Sequence, residues 1–248
     1  MRIAVQLYTL RDLLASDTWG TLRRLADMGF KTGQLAGTYG KGNDEFATKC
    51  KELGLRVVAP HMGIGEFEDR LESVVSLCKA MGTDTAVLPY VGEDVYAGGW
   101  AKAAERFNAI GRRMKDKGLR FLYHNHSFEF RPDSGRPGFD VLWDSVDPAL
   151  VQCEMDAFWV VDGGGDPVGY LKSMKGRVKT MHFKDMKPGE RREMEDVGYG
   201  KLDWDAIIPA AIECGVEYAI IEHDSPPRDP LQHVARSRDF LLGKGLKD

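Results

Sequence analysis

A single (β/α)8 barrel is the fold this sequence predicts, and three observations predict it. Glycines that end helical stretches recur along the chain, an apolar strand-like run follows each, and 248 residues suffice for eight such units. The punctuation appears in Ala26-Asp27-Met28-Gly29-Phe30, Lys51-Glu52-Leu53-Gly54-Leu55, Lys79-Ala80-Met81-Gly82-Thr83, Lys115-Asp116-Lys117-Gly118-Leu119 and Ile212-Glu213-Cys214-Gly215-Val216. Lys175-Gly176-Arg177-Val178 is a further case. Glycine just past a helix tolerates the left-handed backbone that closes the last turn. The glycines stand about 30 residues apart, or a rough multiple of that, the length of one strand–helix unit.

The elements follow in order. A first strand is expected at residues 2–7, where Arg2-Ile3-Ala4-Val5-Gln6 begins without any preceding helix. Others are expected near 31–35, 55–60, 84–89, 119–126, 150–156, 178–184 and 217–223. Helical stretches separate them, among them Trp19 to Met28, Phe67 to Met81 and Trp100 to Lys117. Alternating strand and helix implies a parallel sheet with right-handed crossovers. A doubly wound sheet competes, but the first strand-to-helix turn, Tyr8 to Leu14, holds no glycine for a dinucleotide fingerprint. No linker, low-complexity stretch or charge block divides the chain, so residues 1–248 are expected to form one domain.

Composition narrows the class. A hydrophobic fraction of 43% and a charged fraction of 29% are those of a globular protein with a sizeable core. The net charge of -4 gives no electrostatic reason to expect nucleic acid. The four cysteines stand singly, with no C-x-x-C, so neither a disulfide framework nor a zinc knuckle is expected. No signal-peptide stretch and no run near the ~18 apolar residues of a membrane span is present. A cytoplasmic protein is expected, and a homo-oligomer is compatible with it.

The densest chemistry lies in Tyr123-His124-Asn125-His126-Ser127-Phe128-Glu129-Phe130, at the end of the apolar fifth strand. A barrel of this kind builds its active site where strands run into helices. With a period of two, the first strand places Gln6 and Tyr8 there, the second Gln34, and the third His61. The fifth brings His124, His126 and then Glu129; the sixth Gln152, Glu154 and Asp156; the seventh His182 and Lys184; the eighth Glu222. Buried charges need partners or a metal. One divalent cation would pair Glu129, Asp156, His182 and Glu222. Mixed histidine and carboxylate donors suit Mn, Zn, Fe or Co better than an all-oxygen Mg or Ca site.

These residues resemble a known family, the xylose isomerase-like barrels and among them the sugar phosphate isomerases/epimerases. The resemblance runs through Val5-Gln6-Leu7-Tyr8-Thr9-Leu10-Arg11, Tyr123 to Phe130, Cys153-Glu154-Met155-Asp156, His182-Phe183-Lys184-Asp185, Gly198 to Trp204, and Ile221-Glu222-His223-Asp224. It implies one divalent metal ion (Mn, Zn, Fe, Co or Mg) held by Asp156, His182 and Glu222, with a fifth-strand ligand. Relatives carry that ligand as a Glu about where Tyr123 stands. The ligand is therefore carried over to Glu129, with His126 as the alternative. The Y-H-N-H motif resembles the branch of inosose dehydratase-like proteins and lyases of 3-keto sugars. Relatives usually have Glu where this chain has Gln34.

The resemblance implies a sugar substrate and a reaction that begins by removing a proton beside a carbonyl. Isomerisation or epimerisation is the first expectation; dehydration or lyase chemistry on an inosose or 3-keto sugar is the alternative. His124 and His126 are candidate bases, since imidazole titrates near neutrality, and Glu222 joins them from the metal. Lys184 is expected to stabilise oxyanion charge or to pair with Glu154 or Asp185. Glu154 is expected to support Asp156 or Lys184. Gln6, Tyr8, His61, Trp159 and Trp204 are candidate sugar contacts, the aromatic ones by stacking. His223 is expected to be structural and His233 to lie at the surface. Gly198-Tyr199-Gly200-Lys201 is a weak phosphate signal, and the loop from Asp224 to Pro230 has no glycine and carries acids, so a non-phosphorylated substrate is favoured. The rivals are an endonuclease IV-like nuclease and a barrel that binds sugars without turning them over.

Overall fold

The computed structural model describes residues 1–189, 192–226 and 229–248. Eight parallel strands form the barrel: β1 Arg2–Gln6, β2 Thr32–Gln34, β3 Arg56–Val58, β4 Thr85–Leu88, β5 Arg120–His124, β6 Val151–Asp156, β7 Val178–Phe183 and β8 Tyr218–Ile221. Their order around the sheet is β3-β2-β1-β8-β7-β6-β5-β4. The circle closes between β3 and β4 through one bridge, with Val87 N–H donating to Pro60 O and Met62 N–H to Val87 O, both at 2.9 Å. Each strand falls inside the range expected for it, and the helices lie outside the sheet between them.

The punctuating glycines behave as their position requires. Gly29, Gly54, Gly82, Gly118, Gly176 and Gly215 all have φ between 68° and 97°, a region that costs other residues a Cβ clash. One expected helix divides: Phe67 to Met81 becomes Ile64–Asp69 and Leu71–Met81, broken at Arg70. Strand β3 stops early because Ala59 turns to φ 41° and Pro60 has no N–H to donate.

Two apolar layers hold the barrel. Outside the sheet, helix Trp100–Asp116 presents Ala103, Ala104, Phe107, Ile110, Gly111 and Met114 at helical spacing, and Phe107 meets Phe121 and Tyr123 of β5. Each large side chain so buried contributes ~1.5–3 kcal/mol. Inside, Ala4, Val58, Ala59, Val87, Leu122 and Ile220 form a smaller apolar cluster. By the period of two, the next inward residues toward the carboxyl ends are Gln6, His124 and Glu222, so the apolar plug carries a polar floor. Short antiparallel pairs, Pro132–Asp133 with Arg136–Pro137 and Asp185–Met186 with Met194–Glu195, decorate the loops at that end. Among the described residues no helix is long and apolar enough to cross a membrane.

Candidate active site

The polar floor is one connected network. Gln6, Gln34, Glu154, Asp156 and His182 are fully buried, and His124 and Glu222 nearly so. Glu154 is the hub: Oε1 receives His61 Nε2 at 2.6 Å and His182 Nε2 at 3.1 Å, while Oε2 accepts from Gln34 Nε2 and Thr180 Oγ1, each at 2.6 Å. His182 turns its other nitrogen, Nδ1, to Glu222 Oε2 at 2.7 Å. Lys184 Nζ lies 2.8 Å from Glu222, 2.9 Å from Asp224 and 3.1 Å from Asp156. Asp156 Oδ1 caps the following helix by accepting from Trp159 N–H at 3.0 Å. Asp156 Oδ2 faces the ammonium outside hydrogen-bond geometry and has no hydrogen-bond partner among the described residues.

Electrostatics follow from burial and pairing. Burial opposes charge on His182, but Glu154 and Glu222 prevail and raise it to about 10, so it is an imidazolium in this arrangement. Burial likewise opposes Glu154 and Glu222; the neighbouring cations hold both well below the carboxylate range. Lys184 is raised well above its ordinary value by Asp156, Glu222 and Asp224 despite burial. Asp156 goes the other way, up to about 6, because burial outweighs Lys184 and His182. His126 is driven down to about 3 by burial and then by Lys184, and His124 well below its ordinary value by burial and His182, so both rings are neutral.

Above the floor opens a cavity of about 480 Å³ reached by Tyr8, His61, His126, Lys184, Glu222 and Asp224, within the range of small-molecule sites. Its rim is apolar, with Met62, Pro89 and the exposed Tyr90.

Two groups of donor atoms in the network have cation-binding composition: His61, Glu154 and His182, and His124, Asp156 and His182. The second fits a metal better. In the first, Glu154 Oε1 already takes a hydrogen bond from His61 at 2.6 Å and an ion pair with His182 at 3.1 Å. In the second, Asp156 Oδ2 stands 3.9 Å from His124 Nε2 and 4.0 Å from His182 Nδ1, with no hydrogen bond of its own. A buried carboxylate oxygen that lies near two imidazole nitrogens, and whose contact is the Lys184 ammonium at 3.1 Å, belongs to the mixed donor set of a transition-metal site. Glu222 adds a second carboxylate beside His182 Nδ1.

Several expectations need correction. Glu129 does not join this group: it follows the outward-facing Tyr123, whose hydroxyl donates to its Oε1 at 2.6 Å, and its Oε2 accepts from His126 N–H at 3.0 Å. Its alternative, His126, lines the cavity wall instead, its ring against Phe128 and Trp159. Of the fifth-strand groups, His124 is the one beside Asp156. Trp204 cannot stack on a sugar, since it is 3% exposed, stacked on Phe183, and donates through Nε1 to Asp185 at 2.6 Å. His233 is fully buried and bonded to Asp196. Lys184 pairs with neither Glu154 nor Asp185, and Glu154 braces histidines, not Asp156 or Lys184.

Other residues sit near the site as their positions suggested. Tyr8 is at the mouth, covered by the Arg11 guanidinium at 4.3 Å. Trp159 packs on His126 and over Lys184 Nζ at 5.4 Å. The Gly198–Leu202 amides are taken by Asp185, which accepts from Gly198, Gly200 and Leu202 at 2.9–3.1 Å; the loop is wrapped on its own carboxylate. Pro227 and Arg228 of the loop after β8 lie outside the described residues. Asp224 and Thr180 join the site beyond the expected set, Asp224 by pairing with Lys184 and Thr180 by donating to Glu154; the period of two reaches both, from Glu222 and from His182.

The family described as xylose isomerase-like TIM barrel matches residues 22–242. The chain belongs to that family. Inosose dehydratase of Clostridium perfringens (strain 13 / Type A) is 26% identical, and that of Bacillus anthracis (strain CDC 684) 33% identical. Each match covers 58% of this chain and 54% of the relative, so the chain spans about half the length of the curated relatives it matches. A sugar phosphate isomerase/epimerase from Parabacteroides distasonis superposes with a TM-score of 0.82 at 23% identity, covering 97% of both chains. The probable 3-DHS dehydratase of petrobactin synthesis from Bacillus anthracis superposes with a TM-score of 0.76 at 16% identity, covering 98% of this chain and 99% of the other. At such identities the superpositions speak for the fold.

Proposed function

We propose that this chain is a divalent-metal-dependent enzyme that removes a proton beside the carbonyl of a keto polyol or keto sugar and then expels water. The observation that carries the reading is the convergence of Asp156 Oδ2, His124 Nε2 and His182 Nδ1, with Asp156 Oδ2 3.9–4.0 Å from the two ring nitrogens and held by Lys184. Asp156, His182, Glu222 and His124 would hold the ion, which when bound supplies Lewis acidity toward a substrate carbonyl or hydroxyl. Lys184 keeps its charge and faces the cavity, placed to stabilise an oxyanion. His126 lines the same cavity with a neutral ring, and a neutral imidazole keeps one lone pair to take the proton. Tyr8 and Tyr90 at the mouth offer ring faces to a sugar and shield it from water.

Dehydration is favoured over isomerisation by the withdrawal of Glu129. With that carboxylate locked behind the wall by Tyr123, the fifth strand offers imidazoles alone, and the inosose dehydratase relatives point the same way. Isomerisation or epimerisation is the second reading, supported by two proton-transferring groups that line the cavity, His126 and Glu222.

The test is an assay of inososes and ketohexoses in deuterated buffer, with and without chelator, followed by proton NMR. Loss of water from an inosose, abolished by chelator and restored by Mn or Co, is the expected result. Deuterium exchange with inversion and no water loss would replace dehydratase by epimerase. Metal-free protein that turns over none of these, with or without added metal, would overturn both.

A further inference from the structure

We propose that Gln34 is a positioning residue: with Glu154 it locks the His182 ring so that Nδ1, and not Nε2, is turned toward Asp156 and Glu222. The inference rests on the metal-site reading above and assigns a role to a residue that touches no part of the cavity.

The side-chain amide of Gln34 is fully used. Nε2 donates to Glu154 Oε2 at 2.6 Å and to Ala59 O at 2.9 Å; Oε1 accepts from Gln6 Nε2 at 2.9 Å and from His182 Nε2 at 2.7 Å. Two donors and two lone pairs are the whole capacity of an amide. Rotating it by half a turn would set oxygen against Glu154 and the Ala59 carbonyl, and NH2 against the two donors. Its orientation is therefore dictated by four neighbours. Ala59 itself holds a left-handed φ of 41° without being glycine, backbone strain of the kind kept at functional sites. It ends with its carbonyl aimed at this amide.

The consequence falls on His182. Its Nε2 is claimed by Gln34 Oε1 and by Glu154 Oε1 at 3.1 Å. The ring cannot turn without breaking both contacts, so Nδ1 is the nitrogen that faces Glu222 at 2.7 Å and Asp156 at 4.0 Å. Outer hydrogen bonds of this sort fix which nitrogen of a histidine binds a metal. A carboxylate at position 34 would keep the acceptor for His182 but lose both donors, leaving oxygen against oxygen where Glu154 now receives a hydrogen bond.

Cobalt(II) titration of the whole chain, read by visible absorption and calorimetry, tests this with Gln34→Leu, Gln34→Glu and the exchange Gln34→Glu/Glu154→Gln. Both single variants should bind cobalt about 10–100-fold more weakly, with shifted ligand-field bands. The exchange variant, in which donor and acceptor have traded places, should recover about tenfold over Gln34→Glu. Should Gln34→Leu not fold, the two glutamate variants carry the comparison. Wild-type affinity and bands in the single variants, or no recovery in the exchange variant, would overturn the role. If the wild type binds no cobalt, the metal reading fails separately, and nitrogen-15 spectra of His182 decide. A protected Nε2–H lost in Gln34→Leu supports the positioning role, and unchanged His182 signals in that variant overturn it.

Discussion

At the residue scale the site is governed by which carboxylates are paired and which are only buried. Glu154 and Glu222 face cations and remain ionised, whereas Glu129 faces a phenol and a backbone amide, and burial raises it to about 7 from an ordinary 4.5. A folded-state pKa above the unfolded one means that the native protein holds the extra proton between those values. Glu129 therefore stabilises least at high pH: its contribution is intact below about 4.5 and falls as pH rises to about 7. Replacing it by Gln removes that titration. Urea denaturation at pH 5 and pH 7 should show the stability of Glu129→Gln, relative to wild type, increasing with pH; a difference that does not move would disprove the assignment. Asp185 is a carboxylate given so many donors, including Trp204 Nε1 and the Gly198, Gly200 and Leu202 amides, that it organises a loop.

At the element scale, helix Trp100–Asp116 decides where β5 sits, and so where His124 and His126 stand. The same helix also packs on the turn leading into β6: at Gly111 an added Cβ would meet Leu150 O at 2.4 Å and Leu150 C at 2.9 Å. Backbone atoms yield poorly to such intrusion. Gly111→Ala should cost about 2 kcal/mol, which at this size lowers Tm by about 4–8 °C. A melting temperature equal to wild type would mean that the helix can shift away from Leu150 and that this contact does not fix its place. The other side of the same principle is the amphipathic pattern itself. Phe107, Ile110 and Met114 share one buried stripe, which is why this helix was legible from spacing alone, while the break at Arg70 was not: the residues on both sides, Phe67 and Leu71, are buried and keep the periodic signal running through it.

On the scale of the whole molecule, convergence is the central fact. Six strand ends deliver Gln6, Gln34, His124, Glu154 with Asp156, His182 and Glu222 to one buried floor, and three histidine rings lie within 4.5–5.7 Å of one another. Buried carboxylates need cationic partners; here Lys184 and His182 supply them, and a divalent ion would add a further one. A bound ion should therefore stabilise the fold as well as complete the site. Mn, Co or Zn at about 100 times its Kd should contribute about 2.7 kcal/mol, or a rise in Tm of about 5–10 °C. His182→Ala should abolish the rise, and a full shift in that variant would remove His182 from the ligand set.

The chain by itself determined the eightfold alternation of strand and helix, because helix-closing glycines and strand periodicity are local properties written in neighbouring residues. It also determined that Asp156, His182, Lys184 and Glu222 face inward at the carboxyl ends, since a period of two leaves each strand residue only one of two faces. Tertiary structure decided the rest. Glu129 lies in the short 3-10 helix Phe128–Phe130 and Trp204 opens helix Trp204–Glu213, both beyond the strands to which a period of two applies, and contacts with Tyr123 and Asp185 hold them away from the cavity. His233 sits on helix Pro230–Gly243, and the loop carrying Asp196 turned it into a buried partner. The period of two placed Gln34 at the carboxyl end of the second strand, but nothing local showed what it bonds. Its four hydrogen-bond partners come from residues 25 to 148 positions away, and only barrel closure brings them within reach of one amide.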